Sequence, residues 1–259
     1  MSKLMRHIAF VSPLGGTGQT TLVANLATLL AQRHVSCLAV DLCAQNGLGL
    51  HLGLDACPDE GWVNSAASEQ WWASNALINS LGVTYLPFGN VAYPELESLQ
   101  EWLTTDSHWL QTQLRALDLN PNELVLLDAP AWPAIQAQQA LKAADLVIVC
   151  LDASGRSCKL ESSVRAMLDS MDNLAAHAVV ITCFDPRLQT QCEAVITLRQ
   201  QWEANLVPYT THQDESVPEA FAKASCASAI SPNAQSVHDM QGITSWLIAQ
   251  CSIQTLDAS

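Results

Sequence analysis

SPLGGTGQTT, residues 12–21, joins a short apolar run, HIAFVS (7–12), to TTLVANLATLLAQR (20–33), where apolar residues recur at helical spacing. A strand, a glycine-rich turn and a helix in that order make a phosphate-binding loop. Gly15, Gly16 and Gly18 let backbone N–H groups curl around phosphate oxygens, with Thr17 between them, and the helix start adds partial positive charge. Thr20 and Thr21 open the helix, and Thr20 stands where a hydroxyl would ligate Mg²⁺. One part is missing. Gln19 occupies the place of the lysine that normally reaches the β- and γ-phosphates.

Outward from the loop, apolar runs alternate with helical patterns. SCLAVD (36–41), VTYLPF (83–88), ELVLLD (123–128), DLVIVCLD (145–152) and AVVITCF (178–184) read as buried strands, with a short NLVPY (205–209) after them. Helical stretches include 157–171, 188–203 and 236–250. Near-continuous Val/Ile/Leu strands separated by helices are what a parallel sheet covered on both faces requires. The expected fold is α/β: one doubly wound, mainly parallel sheet, as a single domain over 1–259 with 54–120 its least regular part and 251–259 a tail. Asp41 and Asp128 each end a strand, so both should emerge at the carboxyl edge of the sheet beside the loop, where such folds bind ligands. Both are candidates for the metal side of the site, together with Thr20. The five tryptophans between Trp62 and Trp109 read as core and helix packing, with one ring of the Trp71–Trp72 pair at an interface.

Composition narrows the function. Eleven basic against 25 acidic residues give a formal charge of −14, which argues against binding nucleic acid or anionic lipid through a broad basic face. No run of 18 apolar residues exists, so direct membrane insertion is not expected, and the apolar start is too short for a secretory signal. Nine cysteines occur without a C-x-x-C pair, which reads as reduced thiols in a cytoplasmic protein and not as a zinc or disulfide framework.

GGTGQTT, a strand ending in Asp41 some twenty residues on, and LLDAP (126–130) together resemble the MinD/ParA group of deviant Walker ATPases over nearly the whole chain. That resemblance implies ATP with Mg²⁺ held between the two subunits of a homodimer. It also marks three departures. The position of the lysine that crosses to the partner's nucleotide is Leu14, the loop lysine is Gln19, and the catalytic carboxylate falls on Cys43. The lost loop lysine, the stretch Val40-Asp41-Leu42-Cys43, LPFG (86–89) and PYTTHQDESVPEAFAKA (208–224) are similar to the cellulose-operon BcsQ type. This narrower resemblance implies an accessory of the inner-membrane cellulose synthase. It would work with a small BcsR-like partner and other accessory subunits, recruited to the inner membrane or cell pole through them.

Removing well-placed cations from a phosphoryl-transfer site costs a few kcal/mol each, roughly 10²–10³ in rate. The cis cation, the trans cation and the water-orienting carboxylate are all absent, whereas the phosphate cradle is intact. Nucleotide binding with little or no turnover follows, with Gln19 offering phosphate a neutral hydrogen bond. Two other readings stay open: a working ParA/MinD-type ATPase that positions cargo, and a nucleotide-free pseudo-ATPase acting as an interaction module. The first has little support, since the C-terminal helix lacks the basic residues of a membrane-targeting helix and its stripe Val237, Met240, Ile243, Trp246, Leu247 reads as packed on the sheet. The group's adenine-binding Asn is missing, with Asp185 nearest its place, and Pro208 and Tyr209 begin the second loop that would flank the base. His212, Asp214 and Glu215 read as a solvated loop, and no nucleophile–base arrangement stands out for catalysis.

Overall fold

A computed structural model describes residues 5–253 except 69 and 171–175. Eight strands form one sheet: β1 (His7–Val11), β2 (Cys37–Asp41), β3 (Leu77–Ile78), β4 (Thr84–Leu86), β5 (Leu124–Asp128), β6 (Leu146–Asp152), β7 (Ala176–Phe184) and β8 (Leu206–His212). Their order is β3-β4-β2-β5-β1-β6-β7-β8. Every pairing is parallel except β3 on β4. The doubly wound sheet is therefore present as expected, and its one addition is the short antiparallel edge strand β3, too brief to leave a pattern in the sequence.

Side-chain alternation along the strands builds two cores. On β1, Ile8 and Phe10 face one side and Ala9 and Val11 the other, and all four are fully buried. The first face is covered by α1 (Gln19–Gln32) and by the helix Gln235–Gln250, whose Val237, Met240, Ile243 and Leu247 are buried against it. The second is covered by the helices Trp62–Ala67, Tyr93–Thr105, Trp109–Arg115, Ile135–Ala143, Glu161–Asp169 and Gln189–Trp202. The region 54–120 supplies the aromatic part of that second core. Trp62 and Trp72 are buried, and the Trp109 ring lies 5.3 Å from Trp62 and 6.1 Å from Trp72 between centroids. Trp71 is 46% exposed beside its buried neighbour. The expected helix over 157–171 is two pieces, Gly155–Cys158 and Glu161–Asp169, and its last residue lies outside the described ones, as do 254–259 of the expected tail.

Parallel pairing aligns the strand ends. β1 lies between β5 and β6, and β5 lies between β1 and β2, with Asp41 and Asp128 direct register partners. The loop after β1 thus opens above two carboxylates. Among the described residues no helix is long and apolar enough to cross a membrane.

Candidate functional site

The chain leaves β1 through Ser12, whose Oγ accepts from the Leu14 N–H at 3.1 Å and so starts the turn. Gly16 and Gly18 then adopt φ of +78° and +72°, in the left-handed region that β-carbon-bearing residues avoid. Gly18 caps α1 with no side-chain hydrogen bond, and no acidic residue sits in the first turn of that helix. The first N–H groups of α1, which have no partners within the helix, therefore open toward the loop. The end of β7 steadies the turn, since Thr182 Oγ1 donates to the Thr17 carbonyl at 2.6 Å. Cys183, at φ +55°, places its sulfur against the same carbonyl.

A cavity of about 580 Å³ results, lined by Leu14, Gly15, Gly16, Thr17, Gly18, Gln19, Thr20 and Thr21 on one side and by Cys43, Gly47 and the turn Ala129–Ala131 on the other. All seven loop residues singled out in the sequence meet here. Thr21 is engaged: its hydroxyl lies 3.2 Å from His51 Nε2. Burial pushes the His51 imidazole down to about 4, so that ring is neutral.

Behind the loop, at the paired ends of β2 and β5, stand two buried carboxylates. Asp41 and Asp128 are both 0% exposed. Asp41 Oδ1 accepts from the Cys43 N–H at 2.9 Å and Oδ2 from the Leu48 N–H at 3.0 Å, so this carboxylate shapes the turn after β2. Its backbone carbonyl accepts from Trp62 Nε1 at 2.9 Å. Gln19 Nε2 donates to Asp128 Oδ1 at 2.7 Å and to the Ala129 carbonyl at 2.6 Å. Asp128 Oδ2 has no hydrogen-bond partner. Burial raises the Asp41 carboxyl well above the usual range, and the Asp128 charge raises it further, against the two backbone N–H donors. Burial also raises Asp128, with Gln19 and Thr20 pulling the other way. The Cys43 thiol is driven far up by burial and by both carboxylates, and so stays protonated. An unpartnered buried carboxylate oxygen, a second carboxylate and a threonine hydroxyl beside a phosphate-sized cavity fit a divalent cation.

Three expectations change in this setting. Gln19 does not point a donor at the cavity, because both amide hydrogens are committed to the end of β5. Pro208 and Tyr209 do not begin a loop: β8 runs on to His212, and the Tyr209 ring lies on Gly242 of the last helix. The cleft next to the phosphate loop, about 160 Å³, is lined instead by Gly18, Thr21, Thr182, Cys183, Thr211 to Asp214 and Pro218. Asp185 is held by Arg187 through two hydrogen bonds of 2.9 and 2.8 Å, which keep its carboxyl low, about 2. His212 is not simply solvated, since its Nδ1 lies 2.7 Å from Asp239 Oδ2.

Most of the chain is similar to known proteins. The family described as "Cellulose biosynthesis protein BcsQ" matches residues 5–248. The Cellulose biosynthesis protein BcsQ of Escherichia coli (strain K12) is 27% identical over 240 residues, 92% of this chain and 92% of that one. A virulence plasmid ParA family protein of Chlamydia psittaci is 24% identical over 247 residues, 93% of each. Among solved structures, the septum site-determining protein MinD of Pyrococcus horikoshii, complexed with Mg-ADP, superposes with a TM-score of 0.78 at 18% identity over 98% of this chain and 99% of that one. An ATP complex of a Cyanothece McdA variant gives a TM-score of 0.78 at 17% identity, over 99% and 100%. The last two show the fold alone.

Proposed function

Since the chain belongs to the BcsQ family of cellulose biosynthesis proteins, we propose that it is a Mg-ATP-binding accessory of a bacterial cellulose synthesis machinery that retains its nucleotide instead of turning it over. The observation that carries this reading is a glycine cradle, Gly15 to Thr21, around a cavity whose lining has Leu14, Gln19 and Cys43 where the crossing lysine, the loop lysine and the catalytic carboxylate would stand. Gly15 to Thr21 would hold the phosphates, and Thr20, Asp41 and Asp128 would hold Mg²⁺ directly or through water, with Asp128 Oδ2 gaining the partner it lacks. Mg²⁺ would supply the charge that offsets the triphosphate and would favour both carboxylates in ionised form.

What the chain's own residues do there is bind and position. The side chains of Leu14, Gln19 and Cys43 line the cavity, and none of the three presents a cation or an ionised base to it. The Gln19 side chain ties the loop to β5 and leaves no amide hydrogen of its own for the phosphates. A protonated Cys43 does not draw a proton from water. The cleft beside Gly18 would take the base, between the ends of β7 and β8.

Two copies would meet through their loops in an isologous homodimer, linked by the nucleotides. With a chain charge of −14, Mg²⁺ at each site would ease the repulsion between copies. The dimer would present a composite surface to a small BcsR-like partner and to other accessory subunits, and they would bring it from the cytoplasm to the inner membrane. Light scattering tests the assembly. The mass should double on adding Mg-ATP and return on chelating Mg²⁺, and a monomeric mass with nucleotide demonstrably bound would refute the dimer.

A further inference from the structure

Cys43 has a second chemical meaning besides the loss of a catalytic carboxylate. One ligand atom from each of Asp41, Cys43 and Asp128 lies within 4.8 Å of the other two. Ligands around one zinc ion sit roughly 3.5 Å apart, given metal–ligand bonds of about 2.0–2.3 Å, so a modest side-chain adjustment brings the three together. An independent observation points to a ligand here: Asp128 is fully buried, and its Oδ2 meets no donor. Cys43 lines the phosphate cavity and is only partly buried, so an ion can reach the cluster from solvent.

The donor set decides which ion. Mg²⁺ takes oxygen ligands and avoids sulfur, whereas zinc and its neighbours accept a thiolate with carboxylates. We propose that Asp41, Cys43 and Asp128 form a binding site for a zinc-class divalent cation in the nucleotide-free protein, distinct from the Mg²⁺ that would accompany ATP. Binding forms a metal–sulfur bond and sends the thiol proton to solvent, with no change of oxidation state. Two fully buried carboxylates and a thiolate beside them carry more negative charge than so little water can offset, and a 2+ ion reverses that penalty. Sulfur is what separates this site from the oxygen-only metal side of the phosphate cradle. The site needs no nucleotide, so it stands or falls apart from the Mg-ATP reading.

The test uses the full-length chain stripped of nucleotide and metal and titrated with Co²⁺, then with competing Zn²⁺. We expect one ion per chain, a near-ultraviolet sulfur-to-cobalt charge-transfer band, and displacement of Co²⁺ by Zn²⁺. Cys43→Ala should abolish the band and weaken zinc binding at least about 100-fold. Cys43→Asp, which restores an oxygen ligand, should keep the ion and lose the band. Circular dichroism confirms that each variant is folded, and Cys43→Ser replaces Cys43→Ala if the latter is not. Absence of the band in the wild type, or a band that survives Cys43→Ala, overturns the proposal, the second result assigning the thiolate to another cysteine.

Discussion

Gln19 and Asp128 are 109 residues apart in sequence and joined by a 2.7 Å hydrogen bond, which together with the 2.6 Å bond to the Ala129 carbonyl uses both hydrogens of the Gln19 amide. A side chain in the place of the loop lysine thus fastens the loop to β5. Replacing it by Gln19→Lys restores a cation with three donors beside Asp128 and the phosphate cavity. Charge-assisted bonds are roughly twice as strong as neutral ones, so Mg-ATP should bind about 10- to 100-fold more tightly by calorimetry. Phosphate release should stay at background, because Leu14 and Cys43 are unchanged. Turnover restored by this one change would show that the other two positions do not limit the chemistry.

Gly18→Val tests the cradle. Gly18 has φ +72°, and a β-carbon there would lie 3.2 Å from the Cys183 sulfur. A valine strains the backbone by about 1–2 kcal/mol and fills space the phosphates need. Nucleotide binding should fall by at least about 100-fold while chemical denaturation shows a loss near that strain. Equal binding by wild type and variant would remove the loop from the site.

The carboxylate pair predicts a pH dependence of known sign. Burial raises both Asp41 and Asp128 in the folded protein, so folding disfavours their ionisation. Their stabilising contribution is full below the unfolded carboxylate value of about 4 and is lost as pH rises through the raised folded values toward neutrality. Thermal unfolding of metal-free protein should therefore show Asp128→Asn gaining more stability over wild type at about pH 8 than at about pH 5, and added divalent cation should erase the difference. A gain that is the same at both pH values would contradict the assignment.

Trp62 links the aromatic core to the site. Its Nε1 donates to the Asp41 carbonyl at 2.9 Å, and its ring meets Phe88 edge-on at 5.1 Å. Trp62→Phe keeps most of the packing and leaves that buried carbonyl without this donor, so urea denaturation should register about 1–3 kcal/mol. Trp62→Ala should cost more, about 3–5 kcal/mol, through the cavity it opens. Equal losses for the two variants would mean that the hydrogen bond contributes nothing.

Local pattern carried the strands and the loop, because apolar runs ending in Asp41 and Asp128 and glycines before a helical period are properties of neighbouring residues. What the sequence concealed depends on distant ones. The Gln19–Asp128 bond follows from β5 pairing beside β1, with Phe10 opposite Asp128. The resemblance put Pro208 and Tyr209 at the start of a loop, yet β8 runs on to His212 as the edge strand, where a proline is tolerated. Thr211 to Asp214 consequently take the place beside the phosphate loop expected of Pro208 and Tyr209. In 54–120 the helices Trp62–Ala67 and Trp109–Arg115 span about two turns each, and β3 has only Leu77 and Ile78, both exposed, so in these pieces neither a period of two nor one of 3.6 could show.

The central claim is that this chain holds ATP without consuming it, and the nucleotide itself reports on that. Protein incubated for hours with excess Mg-ATP, freed of unbound nucleotide and then denatured, should release ATP in near-equal amount to the chain, with ADP no higher than in a Thr20→Ala control. ADP and phosphate accumulating well above that control, or no nucleotide released at all, would contradict the account.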